Sequence, residues 1–118
     1  MRRVAVITGG TRGIGWACSQ AFARSGWSAV MLYHSREETA SQREAQLRAE
    51  GLDALALRCD VGSAEEVERV FAEIESRYHH IDALVNNAGI AHIGLLQDTT
   101  EEDWRRVMSV NLDGAYRC

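Results

Sequence analysis

The segment Thr8-Gly9-Gly10-Thr11-Arg12-Gly13-Ile14-Gly15 constrains what this chain can fold into more than any other stretch. It follows an apolar run, Val4-Ala5-Val6-Ile7, and opens an amphipathic one. A tight strand-to-helix turn needs backbone conformations that a β-carbon disfavours, which is a reason for glycine to recur. The first N–H groups of the helix that follows have no partner inside it, and the helix dipole adds partial positive charge, so an anion is favoured there. No Gly-Lys-Ser/Thr follows the turn, which excludes a P-loop. On its spacing alone, Gly-x-x-x-Gly-x-Gly, the segment reads either as an anion-binding turn or as a plain structural one.

The rest of the chain alternates. Residues 4–7 read as a short buried strand, and 13–25 as a helix with Ile14, Ala17, Cys18, Ala21 and Phe22 on one face, stopped by Gly26. Residues 29–33 form a second strand, 36–50 a charged helix with a weak apolar face ended by Gly51, and 54–59 a third strand. Ser63-Ala64-Glu65-Glu66 has the pattern of a capping box, in which each side chain satisfies the other's backbone N–H. It opens the cleanest amphipathic helix of the chain, with Val67, Val70, Phe71, Ile74 and Tyr78 on one face. Residues 81–85 are the fourth strand, 86–99 a polar loop, and Thr99 or Thr100 caps a last helix carrying Trp104, Val107 and Met108. Strand and helix alternating four times over imply parallel strands joined by right-handed helical crossovers. The fold class expected is α/β, a doubly wound parallel sheet of the Rossmann type, ending after about four strands.

The 118 residues suit one domain, and 46% hydrophobic with 25% charged residues is a globular composition. A net charge of −4 argues against nucleic-acid and anionic-membrane partners. Cys18, Cys59 and Cys118 form no close pair, which fits free thiols in a reducing compartment. The start runs straight into a strand, without a signal-peptide h-region, and no stretch approaches transmembrane length. The expected location is the cytoplasm. His34, His79, His80 and His92 lack metal-ligand spacing, so no metal site is expected. Arg2 and Arg3 read as a solvated strand start, and His79-His80 as a helix end where imidazole meets free carbonyls.

The glycine turn is not isolated. Thr8-Gly9 with Gly13 and Gly15 after the first strand, Asp60-Val61 after the third, Asn86-Asn87-Ala88-Gly89 after the fourth, and Val110-Asn111-Leu112 in the last helix together resemble the short-chain dehydrogenase/reductase family. The resemblance covers essentially the whole chain, and its flavour is that of the 3-oxoacyl-carrier-protein reductase branch. It implies that Gly9, Thr11, Arg12, Gly13, Ile14 and Gly15 hold a cofactor pyrophosphate and ribose. It implies that Asp60 and Val61 set the adenine, and that Asn87, Ala88 and Gly89 flank the nicotinamide-side ribose while Asn86 braces the strands. Asn111 matches the asparagine of the family's Asn-Ser-Tyr-Lys catalytic set. From its place on a helix stripe with Trp104, Val107, Met108 and Ala115 alone, it reads as a paired core amide, and the resemblance turns that reading toward the catalytic set.

An NAD-binding chain of this fold places an acid after the second strand. Here that end reads Leu32-Tyr33-His34-Ser35-Arg36, with no carboxylate before Glu37. Tyr33, the Ser35 hydroxyl and the Arg12 and Arg36 cations suit a ribose 2′-phosphate, so NADP(H) is the expected cofactor. The resemblance implies a small-molecule or acyl-thioester carbonyl substrate and a homo-oligomeric full-length form. All 13 basic residues are arginine, so a Tyr-x-x-x-Lys pair cannot occur within the sequence. Residues 1–118 are therefore expected to be the NADP-binding, amino-terminal half of a longer reductase domain. The alternatives are a non-catalytic NADP-binding sensor or interaction protein, and an inactive fragment.

Overall fold

A computed structural model describes residues 2–118. Four strands, β1 (Val4–Thr8), β2 (Ser28–Tyr33), β3 (Ala54–Arg58) and β4 (Ala83–Val85), form one sheet in the order β3-β2-β1-β4, with every pair parallel. Helices α1 (Gly13–Arg24), α2 (Glu37–Ala49) and α3 (Ala64–Tyr78) are the crossovers. Then come a 3₁₀ turn (Leu96–Asp98), α4 (Glu101–Met108), a π-helical turn (Ser109–Asp113) and α5 (Gly114–Arg117). The strand order reverses between β2 and β4 on either side of β1, so β1 is central and is buried along its whole length.

Side-chain alternation along β1 and β2 builds two cores. Val4, Val6, Val30 and Leu32 point to one face and meet Val67, Val70 and Ile74 of α3. Ala5, Ile7, Ala29 and Met31 point to the other and meet Ala23 of α1 and Leu47 of α2. The small residues Ala5, Ala29, Ala54 and Ala83 lie in register across all four strands, which lets α1 and α2 pack closely. Gly26 (φ 89°) and Gly51 (φ 79°) close α1 and α2 in the left-handed conformation that glycine supplies without strain.

Five local expectations are corrected. The face of α1 turned to the sheet carries the buried Gly15, Ser19 and Ala23, small residues that suit close packing, while Ile14, Ala17 and Ala21 are exposed. The capping box at Ser63 is half formed: Ser63 Oγ accepts from the Glu66 N–H at 3.3 Å, but Glu66 Oε1 accepts from the Asp60 N–H at 3.2 Å instead of reaching back. The Ser63 N–H is already donated to the Asp60 carbonyl at 2.9 Å, so the glutamate has no donor to meet there. The complete box belongs to Thr100, whose Oγ1 accepts from the Asp103 N–H at 3.0 Å while Asp103 Oδ2 accepts from the Thr100 N–H at 2.9 Å. These bonds to Thr100 hold the Asp103 carboxyl below its ordinary range. Helix α2 begins at Glu37, because Arg36 is left-handed (φ 61°).

The fourth strand starts at Ala83, not Ile81. Asp82 uses Oδ2 to accept from the Val4 N–H at 2.7 Å, and Ile81 is 38% exposed. The last helix is broken by the π turn, and the stripe led by Trp104 is not a buried face: Trp104 is 62% exposed and Asn111 is exposed as well. Its anchorage is Gly114, where a Cβ would lie 2.9 Å from Val61. Among the described residues no helix is long and apolar enough to cross a membrane.

Candidate functional site

The carboxyl ends of β1, β2 and β3 meet the loops that follow β4 in one hollow, at the point where strand order reverses. Open α/β sheets bind ligands at such a point. Its framework starts at Thr8, which is 2% exposed. Thr8 Oγ1 accepts from the N–H groups of Asn87 and Ala88, both at 2.9 Å, and donates to the Val85 carbonyl at 3.3 Å. Asn87 answers with its amide, Nδ2 donating to the carbonyls of Thr8 (3.1 Å) and Gly9 (3.2 Å). Asn87 thus ties the end of β4 to β1, the bracing role expected of its neighbour Asn86.

The glycines have separate reasons. Gly9 and Gly13 take positive φ, 62° and 54°. Gly15 is needed for space: a Cβ there would lie 2.0 Å from the Gly9 carbonyl oxygen and 2.6 Å from Asn87 Nδ2. The buried Ser19 hydroxyl lies 2.9 Å from the carbonyls of both Gly10 and Gly15, pinning the turn onto α1. Helix α1 has no side-chain cap at Arg12, in contrast to α3 and α4, which Ser63 and Thr100 cap. Its first N–H groups therefore face the turn as donors for an anion.

The hollow measures about 180 Å³, below the ~300–1,000 Å³ of pockets that enclose a whole ligand. It gathers Gly9, Thr11 and Arg12 from the turn, Tyr33 and Ser35 from the end of β2, Asp60 and Val61 after β3, and Ala88 and Gly89 after β4. Nine of the residues singled out from the sequence thus line one hollow. Arg36 does not line it, and Ile14 is 76% exposed. Gly13, Gly15 and Asn87 shape the turn from behind. Asn111 lines a smaller neighbouring cleft with Thr8 and Asn86. Its Oδ1 accepts from the Ile90 N–H and its Nδ2 donates to the Ile90 carbonyl, both at 2.8 Å, so this amide locks the loop after Gly89.

Sequence reasoning missed Thr8 as the hub of this framework, because a threonine ending a strand carries no spacing signal. It also missed His34, whose Nε2 lies 3.8 Å from Asp60 Oδ2, and Cys59, which lines the hollow's floor. The arginine ion pairs of the described residues run through Arg2, Arg24, Arg48, Arg69, Arg77 and Arg105, and leave Arg12 and Arg36 out.

Burial, with a smaller push from the Cys118 thiol, raises the Cys59 thiol from its ordinary 9.0 to about 12. In the unfolded chain this thiol ionises first, so the folded state holds more protons between those values and stability falls as pH rises through that window. Thermal melts are expected to show a declining Tm from about pH 9 upward, flattened in a Cys59→Ala variant. An equal decline in both proteins would remove this thiol from the alkaline response.

The family model described as short chain dehydrogenase matches residues 3–118. This chain belongs to the short-chain dehydrogenase family. It is 34% identical over 118 residues to 3-oxoacyl-[acyl-carrier-protein] reductase FabG of Staphylococcus aureus, covering 100% of this chain and 48% of that protein. It is 37% identical over 116 residues to 3-oxoacyl-[acyl-carrier-protein] reductase of Synechocystis sp., covering 98% and 47%. The alcohol dehydrogenase of the archaeon Thermococcus sibiricus, complexed with 5-hydroxy-NADP, superimposes with a TM-score of 0.92 at 33% identity, over 99% of this chain and 50% of that one. The chain spans about half the length of the curated relatives it matches. The short-chain dehydrogenase resemblance read from the turn and the asparagine motifs is therefore correct, and 3-oxoacyl-[acyl-carrier-protein] reductases are among the relatives the chain resembles.

Proposed function

We propose that this chain is the NADP(H)-binding half of a short-chain reductase acting on a carbonyl substrate of the 3-oxoacyl thioester class. The observation that carries the reading is the convergence of Arg12, Ser35 and Asp60 on one hollow beside the uncapped start of α1. The donor set fits the cofactor. First-turn N–H groups suit a pyrophosphate, and the Asp60 carboxylate at the far wall suits an adenine amino group. Arg12, free of the protein's own ion pairs, with the Ser35 hydroxyl suits a 2′-phosphate. The hollow's volume fits part of a dinucleotide, in keeping with a chain that spans half of its relatives.

Bound NADPH would supply the hydride. The residues here bind and orient: Thr8 and Asn87 hold the turn against β4, and Asn111 holds the loop beside Gly89. The names of the FabG-type relatives support the thioester class. The exposed Trp104, Leu112 and Tyr116 support assembly with further protein, as in a cytoplasmic homo-oligomer.

Titrating the 118-residue chain with NADPH tests the reading, and absence of saturable binding would sink it. The cofactor preference has its own test. Arg12→Ala is expected to weaken NADPH about tenfold and NADH less than about twofold, since phosphate recognition rests on that cation. Arg36→Ala, away from the hollow, is expected to do less. Equal losses for both nucleotides would overturn the 2′-phosphate assignment.

A further inference from the structure

Arg43 of α2 lies outside the hollow, yet it grips the turn that forms the hollow's wall. Its Nε donates to the carbonyl of Thr11 at 3.2 Å, and its guanidinium carbon stands 4.6 Å from the centre of the Trp16 ring. Thr11 is buried and lines the hollow, and Trp16 sits in the first turns of α1. One planar side chain thus joins α2, the glycine turn and the start of α1. Both contacts need a guanidinium: an N–H set at its edge for the carbonyl, and a flat cationic face for the indole. Packing alone would ask only for an aliphatic stem.

The backbone beyond Thr11 gives this grip its importance. Arg12 is extended (φ −145°, ψ 157°), and Gly13 turns left-handed (φ 54°) before the helix begins. Gly10 is wedged in the core, where a Cβ would meet the Ile7 carbonyl at 2.8 Å and Met31 Cα at 3.1 Å. A Cβ on Gly13 would meet nothing within 4 Å. Between these two glycines the chain leaves the packed body of the protein, and Arg43 holds it there from the side.

We infer that Arg43 is a positioning residue for nucleotide binding. It fixes residues 11–13 so that the Arg12 side chain and the first N–H groups of α1 face the hollow. This inference rests on the proposed nucleotide-binding role of the hollow.

The test compares the unaltered chain with Arg43→Ala and Arg43→Lys. It uses calorimetric titration with NADPH, and backbone order parameters of Arg12 and Gly13 without nucleotide. Arg43→Ala is expected to weaken NADPH about fivefold, the scale of one lost charge-assisted hydrogen bond felt partly at the ligand. It should also lower both order parameters while leaving those of β2 and β3 unchanged. Lysine keeps the cation but has no N–H placed like Nε, so Arg43→Lys is expected to follow alanine. Unaltered affinity and order in Arg43→Ala would overturn the inference, as would full restoration by lysine. If the unaltered chain does not bind NADPH, the nucleotide reading fails, and the order parameters still decide whether Arg43 holds the turn.

Discussion

Gly15→Ala is expected to abolish the nucleotide site and to destabilise the fold by about 3 kcal/mol, the upper range for forcing a methyl group into a packed position. The added Cβ would lie 2.0 Å from the Gly9 carbonyl oxygen and 2.6 Å from Asn87 Nδ2. Neither neighbour can retreat cheaply. Gly9 is held by its own left-handed turn, and Asn87 is held by bonds to Thr8 and Gly9. Urea denaturation measures the first effect and NADPH titration the second. Gly13→Ala is the contrast: it has open space but a strained φ, so it should cost about 1 kcal/mol. A Gly15→Ala variant as stable as the unaltered chain would mean that the turn is far softer than its contacts indicate.

Thr8→Val is expected to cost roughly 2–6 kcal/mol, from ~1–3 kcal/mol for each of the two N–H groups left without an acceptor. Valine keeps the shape of threonine and removes the oxygen that takes the N–H groups of Asn87 and Ala88. The loss should show in denaturation and, because Ala88 lines the hollow and Asn87 braces its turn, in weaker nucleotide binding. Thr8→Ser restores the oxygen and should recover most of both. A valine variant within about 0.5 kcal/mol of the unaltered chain would show that water takes over both donors.

Periodicity made the elements readable. Val67, Val70 and Ile74 recur at helical spacing, and all three are buried against the sheet as that spacing implies. Element ends were less readable where a side chain competes for a backbone group. Glu66 looked like the second half of a capping box, but the Ser63 N–H was already engaged by Asp60, a contact that sequence spacing cannot reveal. The stripe of the last helix failed for a different reason. A helical period shows which residues share a face and not whether anything covers it, and Trp104 stays exposed. Within the site, glycines and strand-end motifs led to nine lining residues. Thr8 and Arg43 escaped because their roles depend on partners 79 and 32 residues away.

Those long separations bear on the order in which the molecule comes together. The bonds from Thr8 to Val85, Asn87 and Ala88 join positions 77 to 80 residues apart. Closing a loop of that length costs on the order of 4 kcal/mol in chain entropy, so local β1–β2 and β2–β3 pairing is expected to precede it. A partly folded chain would then own the glycine turn but lack the far rim of the hollow. Competence to bind would arrive with the final strand, and Thr8→Val should speed unfolding while leaving the folding rate nearly unchanged.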